Sequence, residues 1–566
     1  MKNNQKLFKR INALALLTMC FVVTGCQKEQ PSQASNEGSG SSSQEETYNI
    51  TRPEFDNDFE NYDLSEKPSG INMTYYSDIY SRGFSWLTDT TVEDTELYLV
   101  KSDKGELADF SNATSYSGTC IEITYARDAS FSSKDNVIPS ASAYSSSGNK
   151  NDAEIKCHSH KVHVENLEKG KAYSYKIGSE SGYAYGAFIV EKDNPKSVTA
   201  IQLSDAQTKD ASKLNVWRNT FTKAVDTAGK ELDTVLYNGD QYDKNMGKVH
   251  SGDSTTPGQI LRYAKAYDVI HDYKESIPYM TSSGNHEPSA PYSQYIMSDI
   301  DYGDGYGRDG CYYSYNYEFA HFVVLNTNTV DDSQLNWLKD DLDGASNAKW
   351  KVVVLHIAPY STGDHSVDNE NYKIVEKLTP IFAEKHVDLV LQAHDHTYNK
   401  TLPYKWDQAG YIESSKSQTE IEEVINYDVE TETKDNVTYD KNPNGTYYVT
   451  TGAAGHRCGD AESDGIYAEV VEENGEIKAL NSSKTYLKAK YKIAVGKLTQ
   501  SNQYKSYTFS GYTSDQDYQE GDPATGNVNA QMFGVLNLTE STLSYHVYTV
   551  NDDSVKLFDT LDVLKA

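Results

Sequence analysis

Positive charge is scarce in this chain of 566 residues: 52 lysines and arginines stand against 83 aspartates and glutamates, a formal net charge of −31. That balance argues against a protein that coats nucleic acid or an anionic membrane, because either surface would repel it. It does not argue against a small anionic substrate, since a local site can hold its own cations. Past the first 25 residues no apolar run is long enough to cross a bilayer. Cysteine is sparse, with six residues and no C-x-x-C pair to form a zinc knuckle. Phenylalanine is also scarce, 15 against 45 tyrosines, which fits half-buried strands better than helical bundles. The 37% hydrophobic content nevertheless supplies a core and excludes wholesale disorder. The length implies two to four domains.

The chain opens with Lys2, Lys6, Lys9 and Arg10 and no acid, followed by an apolar stretch from Ile11 to Gly25. This is the pattern of a secretory leader. Its end, Val23-Thr24-Gly25-Cys26, resembles the lipobox of bacterial lipoproteins. The resemblance implies cleavage after residue 25, lipidation of Cys26 and an extracytoplasmic protein held on the cell membrane by that lipid anchor alone. Residues 26–64 open on a polar Ser/Gln/Glu/Gly-rich stretch running to about Thr47 and read as a flexible linker. Of the later cysteines, pairing by domain joins Cys120 with Cys157 and Cys311 with Cys458, although the sequence leaves all three pairings open.

Two rhythms follow. Residues 65–192 hold short alternating or aromatic runs (Glu96 to Val100, Cys120 to Tyr125, His160 to Val164, Ala172 to Ile177) and no long amphipathic helix. Strands at such spacing indicate an all-β sandwich. From residue 196 to 566 strands alternate with helices, the mark of a layered α/β domain. Helical spacing is predicted for Ser212 to Gly229, Ile260 to Tyr273, Asp331 to Leu342 and Tyr372 to Lys385. Residues 404–445 and 459–515 are polar and read as insertions.

Unusual polar residues recur at strand ends. Asp205 follows Ile201-Gln202-Leu203, Asp240 follows Thr234 to Tyr237, and Asn285-His286 follows Tyr279-Met280-Thr281. His356 follows Val352 to Leu355, and His394 and His396 follow Val390-Leu391-Gln392. Ligands bind at the C-terminal edge of open α/β sheets, so these groups should converge. Singly, each has an ordinary explanation as a helix cap, a turn or a strand pair. Together they form an N/O donor set suited to Zn, Mn or Fe, large enough for two ions.

The order Asp205-x-Gln207, Gly239-Asp240, Gly284-Asn285-His286-Glu287, His356 and His394-x-His396 resembles the calcineurin-like metallophosphoesterase superfamily, and within it the purple acid phosphatase-like proteins. His356-Ile357-Ala358-Pro359-Tyr360 and the tail Phe558 to Val563 are similar to that group too. Residues 166–178 are similar to the end of a fibronectin type III-like domain. The resemblance implies a four-layer metallophosphoesterase α/β sandwich preceded by a fibronectin type III-like sandwich. It implies two divalent or trivalent metal ions (Fe, Zn or Mn). Asp240 would bridge them, Asp205 and His396 would bind the first, and Asn285, His356 and His394 the second. His286 would contact phosphate and protonate the leaving oxygen, with Glu287 orienting it.

The reaction implied is hydrolysis of an extracellular phosphomonoester by metal-bound hydroxide. A phosphodiesterase or nucleotidase on the same core is the enzymatic alternative, and a non-catalytic surface-binding lipoprotein the other. The chain departs from the purple enzymes at Asp243, where they place a tyrosine ligand, and at Gln207, where many relatives have histidine. Gln207 either coordinates through its carbonyl or only hydrogen-bonds. Ala393 stands where glycine is usual. Tyr360, Tyr398 and His456 are candidates for the substrate pocket. His158, His160 and His163 resemble a metal cluster, and strand alternation explains His158 and His160 as well. Substrate identity, metal pair and oligomeric state are not legible in the sequence.

Overall fold

The computed structural model describes residues 64–102, 107–126, 154–208, 211–242, 259–287, 306–307, 310–360, 369–406, 429–456, 470–473, 476–479, 505–508, 530–551 and 554–565. The leader, Cys26 and residues 26–63 of the linker expected over 26–64 lie outside the described residues, as do Asp243 and Cys458.

Two four-stranded antiparallel sheets come first. One orders the strands Ser69–Thr74, Arg82–Thr88, Glu154–Val164 and Thr119–Ala126. The other orders Thr114–Ser117, Glu96–Ser102, Ala172–Ser179 and Gly182–Ile189. Side chains alternate across a strand, so one face of each sheet can be apolar. Ile71, Met73, Phe84, Trp86 and Val162 of the first sheet and Leu97, Leu99, Tyr175, Ile177 and Phe188 of the second share one core. The expected bond between Cys120 and Cys157 is not formed, and both are free thiols. Cys120 lies opposite His160 and Cys157 opposite Ile123, which puts the two cysteines three rungs apart on the ladder. Successive side chains alternate faces, so that odd offset sends them to opposite sides of the sheet.

The rest is built on two larger mixed sheets. An eight-stranded sheet runs Tyr279–Thr281, Thr234–Tyr237, Ser197–Leu203, Gln531–Thr539, Thr542–Asn551, Ser554–Leu564, Val437–Lys441 and Thr431–Lys434. A seven-stranded sheet runs Tyr313–Tyr317, Ala320–Val324, Trp350–Ile357, Leu389–Ala393, Tyr447–Thr451, Thr397–Lys400 and Lys505–Thr508. The first three strands of the former pair in parallel. So do Ala320–Val324, Trp350–Ile357, Leu389–Ala393 and Tyr447–Thr451 in the latter. These parallel strands are apolar on both faces, as strands buried from both sides must be. Val352, Val354, Leu389 and Leu391 turn inward to a core shared with Ala200, Leu236, Phe533 and Leu536. Val353, Leu355 and Val390 turn outward beneath the helices Asp332–Gly344 and Asn369–Glu384, through Leu338, Leu342, Leu378 and Phe382. The helix Ala211–Ala228 covers the other large sheet through Leu214, Trp217 and Phe221.

Two local expectations change. The single helix expected over 260–273 is two, Gln259–Asp268 and His271–Lys274, broken at Val269-Ile270. The polar stretch 404–445 is not wholly irregular. Its residues 431–441 form a hairpin whose strand Val437–Lys441 pairs with Ser554–Leu564, extending the eight-stranded sheet. The turn residues Asp435 and Asn436 both have positive φ, 52° and 66°, as a two-residue hairpin loop requires. Within 459–515, Lys505–Thr508 adds an edge strand beside Thr397–Lys400.

Candidate metal centre

The predicted polar residues meet at the C-terminal rim of the parallel strands of both sheets. Asp205 and Asp240 stand two and three residues beyond their strands, and Asn285 follows Tyr279–Thr281. His356 is the penultimate residue of its strand, and His394 directly follows Leu389–Ala393. Asp205, Asp240 and His356 are fully buried, while Asn285, His286, His394 and His396 are partly exposed. The site therefore has a closed floor and an open mouth.

Asp240 is its centre. Its Oδ1 lies 3.3 Å from His356 Nε2, and its Oδ2 lies 3.5 Å from His286 Nε2. Single ligand atoms of Asp240, His356 and His394 all lie within 4.8 Å of one another. His356 Nε2 is also 2.9 Å from Asn285 Oδ1, and His396 Nε2 is 3.5 Å from Asp205 Oδ1. The backbone N–H groups of His286 and His394 donate to Asp240 Oδ1 and Asp205 Oδ2 at 2.9 and 3.4 Å. Two chains of donors, one around Asp240 and one around Asp205, thus lie side by side.

The local backbone is strained to achieve this. Asp205, Gln207, Asp240 and His394 all have positive φ, at 51°, 40°, 57° and 73°. Such conformations cost about 1–2 kcal/mol each for residues with a Cβ, and non-glycine strain of this kind gathers at functional sites. Ala393, by contrast, is not among the positive-φ residues, so a methyl is tolerated where relatives have glycine. Gly239 and Gly284 are required by close approach. A Cβ on Gly239 would sit 2.4 Å from Gly284 N, and one on Gly284 would sit 2.1 Å from Asp240 Oδ1.

The electrostatics favour bound positive charge. Burial alone would raise the Asp240 carboxyl, but the imidazoles of His286, His356 and His394 outweigh it and hold the group below the ordinary carboxylate range. Burial would lower the His356 imidazole, yet Asp240 beside it prevails and pushes it up to about 9. His356 Nδ1 donates to the carbonyl of Asn238 at 2.7 Å, and its Nε2 donates toward the acceptor oxygens of Asn285 and Asp240, so a bound cation would take the place of the Nε2 proton. A ring anchored through Nδ1 to a backbone carbonyl, with Nε2 turned to the site, is the arrangement metal-binding histidines use. Asp205 Oδ1 and Gln207 Oε1 are buried without a hydrogen-bond partner. Buried acceptors left in that condition cost free energy unless something polar reaches them. The donor set and its orphaned oxygens fit metal cations.

Gln207 hydrogen-bonds Asp240 Oδ2 through Nε2 at 3.2 Å, with its carbonyl oxygen turned elsewhere. Glu287 does not orient the His286 imidazole. Its Oε2 accepts from the backbone N–H groups of Asp240 (2.7 Å) and Gly284 (2.8 Å), and its Oε1 accepts from Gln241 N–H (2.8 Å) and Tyr263 OH (2.5 Å). Four donors fill a carboxylate's four lone-pair sites, so none remains for the imidazole. Glu287 is the clasp that ties the Asp240 loop to the Gly284 loop.

Tyr360 and Tyr398 do not line a pocket. Tyr360 is buried, stacked on Tyr404 at 4.3 Å and edge-on to Tyr448. Tyr398 is buried and bonds Asp559 Oδ2 at 2.7 Å. His456 is half-buried beside Gly455, where a Cβ would lie 1.9 Å from the Ala206 carbonyl oxygen, so its loop reaches the strand end that bears Asp205.

Two supporting residues escaped the sequence reading. Asn238 donates through Nδ2 to the carbonyls of Leu355 and Leu391, both at 2.8 Å, and accepts from Gln202 Nε2 at 2.7 Å. One side chain thereby joins the two large sheets beneath the site. Its only signal was its place before Gly239-Asp240. Tyr263, the clasp's fourth donor, sits on a helix and reads there as one more apolar-face residue.

Residues 201–398 match the calcineurin-like phosphoesterase family, and the segment carrying the site is a domain of that class. Within the class, the chain is similar to acid phosphatase type 7 of Mus musculus, 25% identical over 276 residues that make 44% of this chain and 58% of the mouse protein. The human protein of the same name is 25% identical over 328 residues, 53% of this chain and 65% of that one. The chain therefore spans less than two thirds of either. Purple acid phosphatase 21 of Arabidopsis thaliana is 30% identical over 139 residues, 22% of this chain and 32% of that one. The fold is similar to that of a purple acid phosphatase from yellow lupin seeds, with a TM-score of 0.52 and 13% identity, covering 88% of this chain and 74% of the lupin chain.

Proposed function

We propose that the chain is a binuclear metal-dependent phosphoester hydrolase, a phosphomonoesterase of acid phosphatase type. The observation that carries this reading is the central position of Asp240, within 3.3–3.5 Å of two imidazoles and bonded at Oδ2 by Gln207 Nε2. Asp240 would bridge two cations, Asp205 and His396 would hold one, and Asn285, His356 and His394 the other. Bound there, the cations supply positive charge and Lewis acidity for a phosphoryl group in an otherwise acidic protein. The fold agrees with a four-layer metallophosphoesterase sandwich, and the preceding β-sheets with a fibronectin type III-like module that packs against it.

The chain's own residues do the rest. The buried floor of Asp205, Asp240 and His356 keeps bulk water out from below. His286, its side chain 17% exposed at the mouth, would protonate the leaving oxygen. Its main chain is pinned to Asp240, so the imidazole is delivered at a set distance from the donor cluster. Residues 2–26 support export and a lipid tether at Cys26, which would place hydrolysis outside the cell membrane on small phosphorylated molecules.

Metal analysis and assay of wild type and Asp240→Ala test the proposal. Two ions per chain are expected at this centre, with at least one lost in the variant and hydrolysis of an aryl phosphate abolished. Unchanged hydrolysis by Asp240→Ala refutes the mechanism. Faster turnover of a bis-aryl phosphate or of nucleotides would reassign the enzyme as a diesterase or nucleotidase. A protein that binds no transition metal and hydrolyses no phosphoester would instead be a surface-binding lipoprotein.

A further inference from the structure

We propose that the N-terminal β-sheets carry a separate metal site, formed by Cys120, His158 and His160, for a borderline-soft divalent cation of the Zn2+ type. The site shares no residue with the Asp240 centre and does not depend on the activity proposed for it.

The placement follows from strand register. His158, His160, Val162 and Val164 alternate onto one face of the strand Glu154–Val164, and Val162 and Val164 lie in the core between the two small sheets. Cys120 pairs directly with His160 across the ladder, so its sulfur shares that face at the sheet edge. Ligand atoms of Cys120, His158 and His160 all lie within 4.8 Å of one another. Bonds of roughly 2.0–2.3 Å to one tetrahedral ion need ligand separations of about 3.5 Å, so closure takes about 1 Å of side-chain movement.

In each imidazole the hydrogen bond made by one nitrogen assigns the other to a ligand. His158 Nδ1 lies 2.5 Å from the Val92 carbonyl, which can only accept, so Nδ1 carries the hydrogen and Nε2 the lone pair. Thr88 Oγ1 donates its one hydrogen to the Asp89 carbonyl at 2.9 Å and must therefore accept from His160 Nε2 at 2.8 Å. The His160 lone pair is then at Nδ1, where the Thr95 hydroxyl donates at 2.7 Å and would have to rotate away on loading. The His160 ring lies flat on Trp86, with centroids 5.2 Å apart. A thiolate with two neutral imidazoles selects Zn2+ over Mg2+ or Ca2+. Three protein ligands leave a fourth position for water or a partner's side chain.

The test uses the full chain with Zn2+ and Co2+ as probes. Wild type should hold one more Zn2+ per chain than Cys120→Ser, with phosphoester turnover unchanged by the substitution. Co2+ should give a thiolate-to-metal charge-transfer band that Cys120→Ser lacks. In wild type, Zn2+ should slow maleimide alkylation mapped to Cys120 by about tenfold or more, because a coordinated thiolate is a poor nucleophile. That last measurement needs no variant and decides the matter if Cys120→Ser fails to fold. Equal Zn2+ content in both proteins, or alkylation of Cys120 indifferent to Zn2+, overturns the proposal.

Discussion

Glu287 offers the sharpest test of how this site is held. Its carboxylate is fully buried and accepts from three backbone N–H groups and the Tyr263 hydroxyl. Glu287→Ala leaves the amides of Asp240, Gln241 and Gly284 without that acceptor. A buried donor left unsatisfied costs about 1–3 kcal/mol, so three cost about 3–9 kcal/mol. That is comparable to the whole stability of a domain, about 5–15 kcal/mol. Glu287→Gln behaves differently. The amide nitrogen must replace one oxygen, and the less costly choice is Oε1, because the Tyr263 hydroxyl can turn to accept while only Gln241 N–H loses its partner. The expected loss is about 1–3 kcal/mol. Tyr263→Phe removes a hydroxyl that serves Glu287 Oε1 and, at 3.3 Å, the His286 carbonyl, but strands no backbone N–H, and should cost about 1 kcal/mol. Denaturant unfolding measures all three, with metal content read alongside. The order Ala, then Gln, then the tyrosine variant is the prediction. A Glu287→Ala protein as stable as wild type, with its metal retained, would refute the clasp.

Other expectations are as specific. His286→Ala should lower turnover by about 10²–10⁴-fold for an alkyl phosphate, and much less for a nitrophenyl phosphate, whose leaving oxygen needs no proton; equal losses on both would remove His286 as the proton donor. Glu275 is buried, and burial raises its carboxyl well above the ordinary value. The folded state therefore keeps a proton that the unfolded chain releases above its own pKa near 4.5, and the associated stability, complete below that pH, is lost as pH rises toward the folded value. Glu275→Gln should match wild type near pH 4 and exceed it increasingly at higher pH, by about 1.4 kcal/mol per unit at most, in melting curves taken from pH 4 to 8; a constant difference would show that no proton is involved. Because Asp243 stands where the purple enzymes have a tyrosine ligand, the metal-loaded protein should lack an intense visible charge-transfer band, which a single absorption spectrum checks.

Much of the site could be read before any fold was known. Each segment that reaches the rim carries its own local signal: a short apolar strand run followed within a few residues by Asp, Asn or His. A strand end is a property of a few consecutive residues, so its type and position are written locally. The strand Thr234–Tyr237 and the residues after it are an instance. The hairpin at 431–441 carried a local signal too, Asp435-Asn436 between alternating threonines, and was passed over because the surrounding stretch is polar.

The partners of those residues belong to the tertiary structure alone. Glu287 follows His286 in the chain, yet it bonds amides 46 and 47 residues away, because folding brings the Asp240 loop across Gly284. Asn238 is an ordinary turn residue by sequence, but it reaches carbonyls 117 and 153 residues distant and ties one sheet to the other. Tyr360 and Tyr398 stand near ligand motifs and still turn into packed cores, since a residue's face depends on what lies over its strand. Cys120 and Cys157 share a ladder but not a face. Chain proximity chose which groups arrive at the rim; only the crossing of distant segments decided what each of them touches.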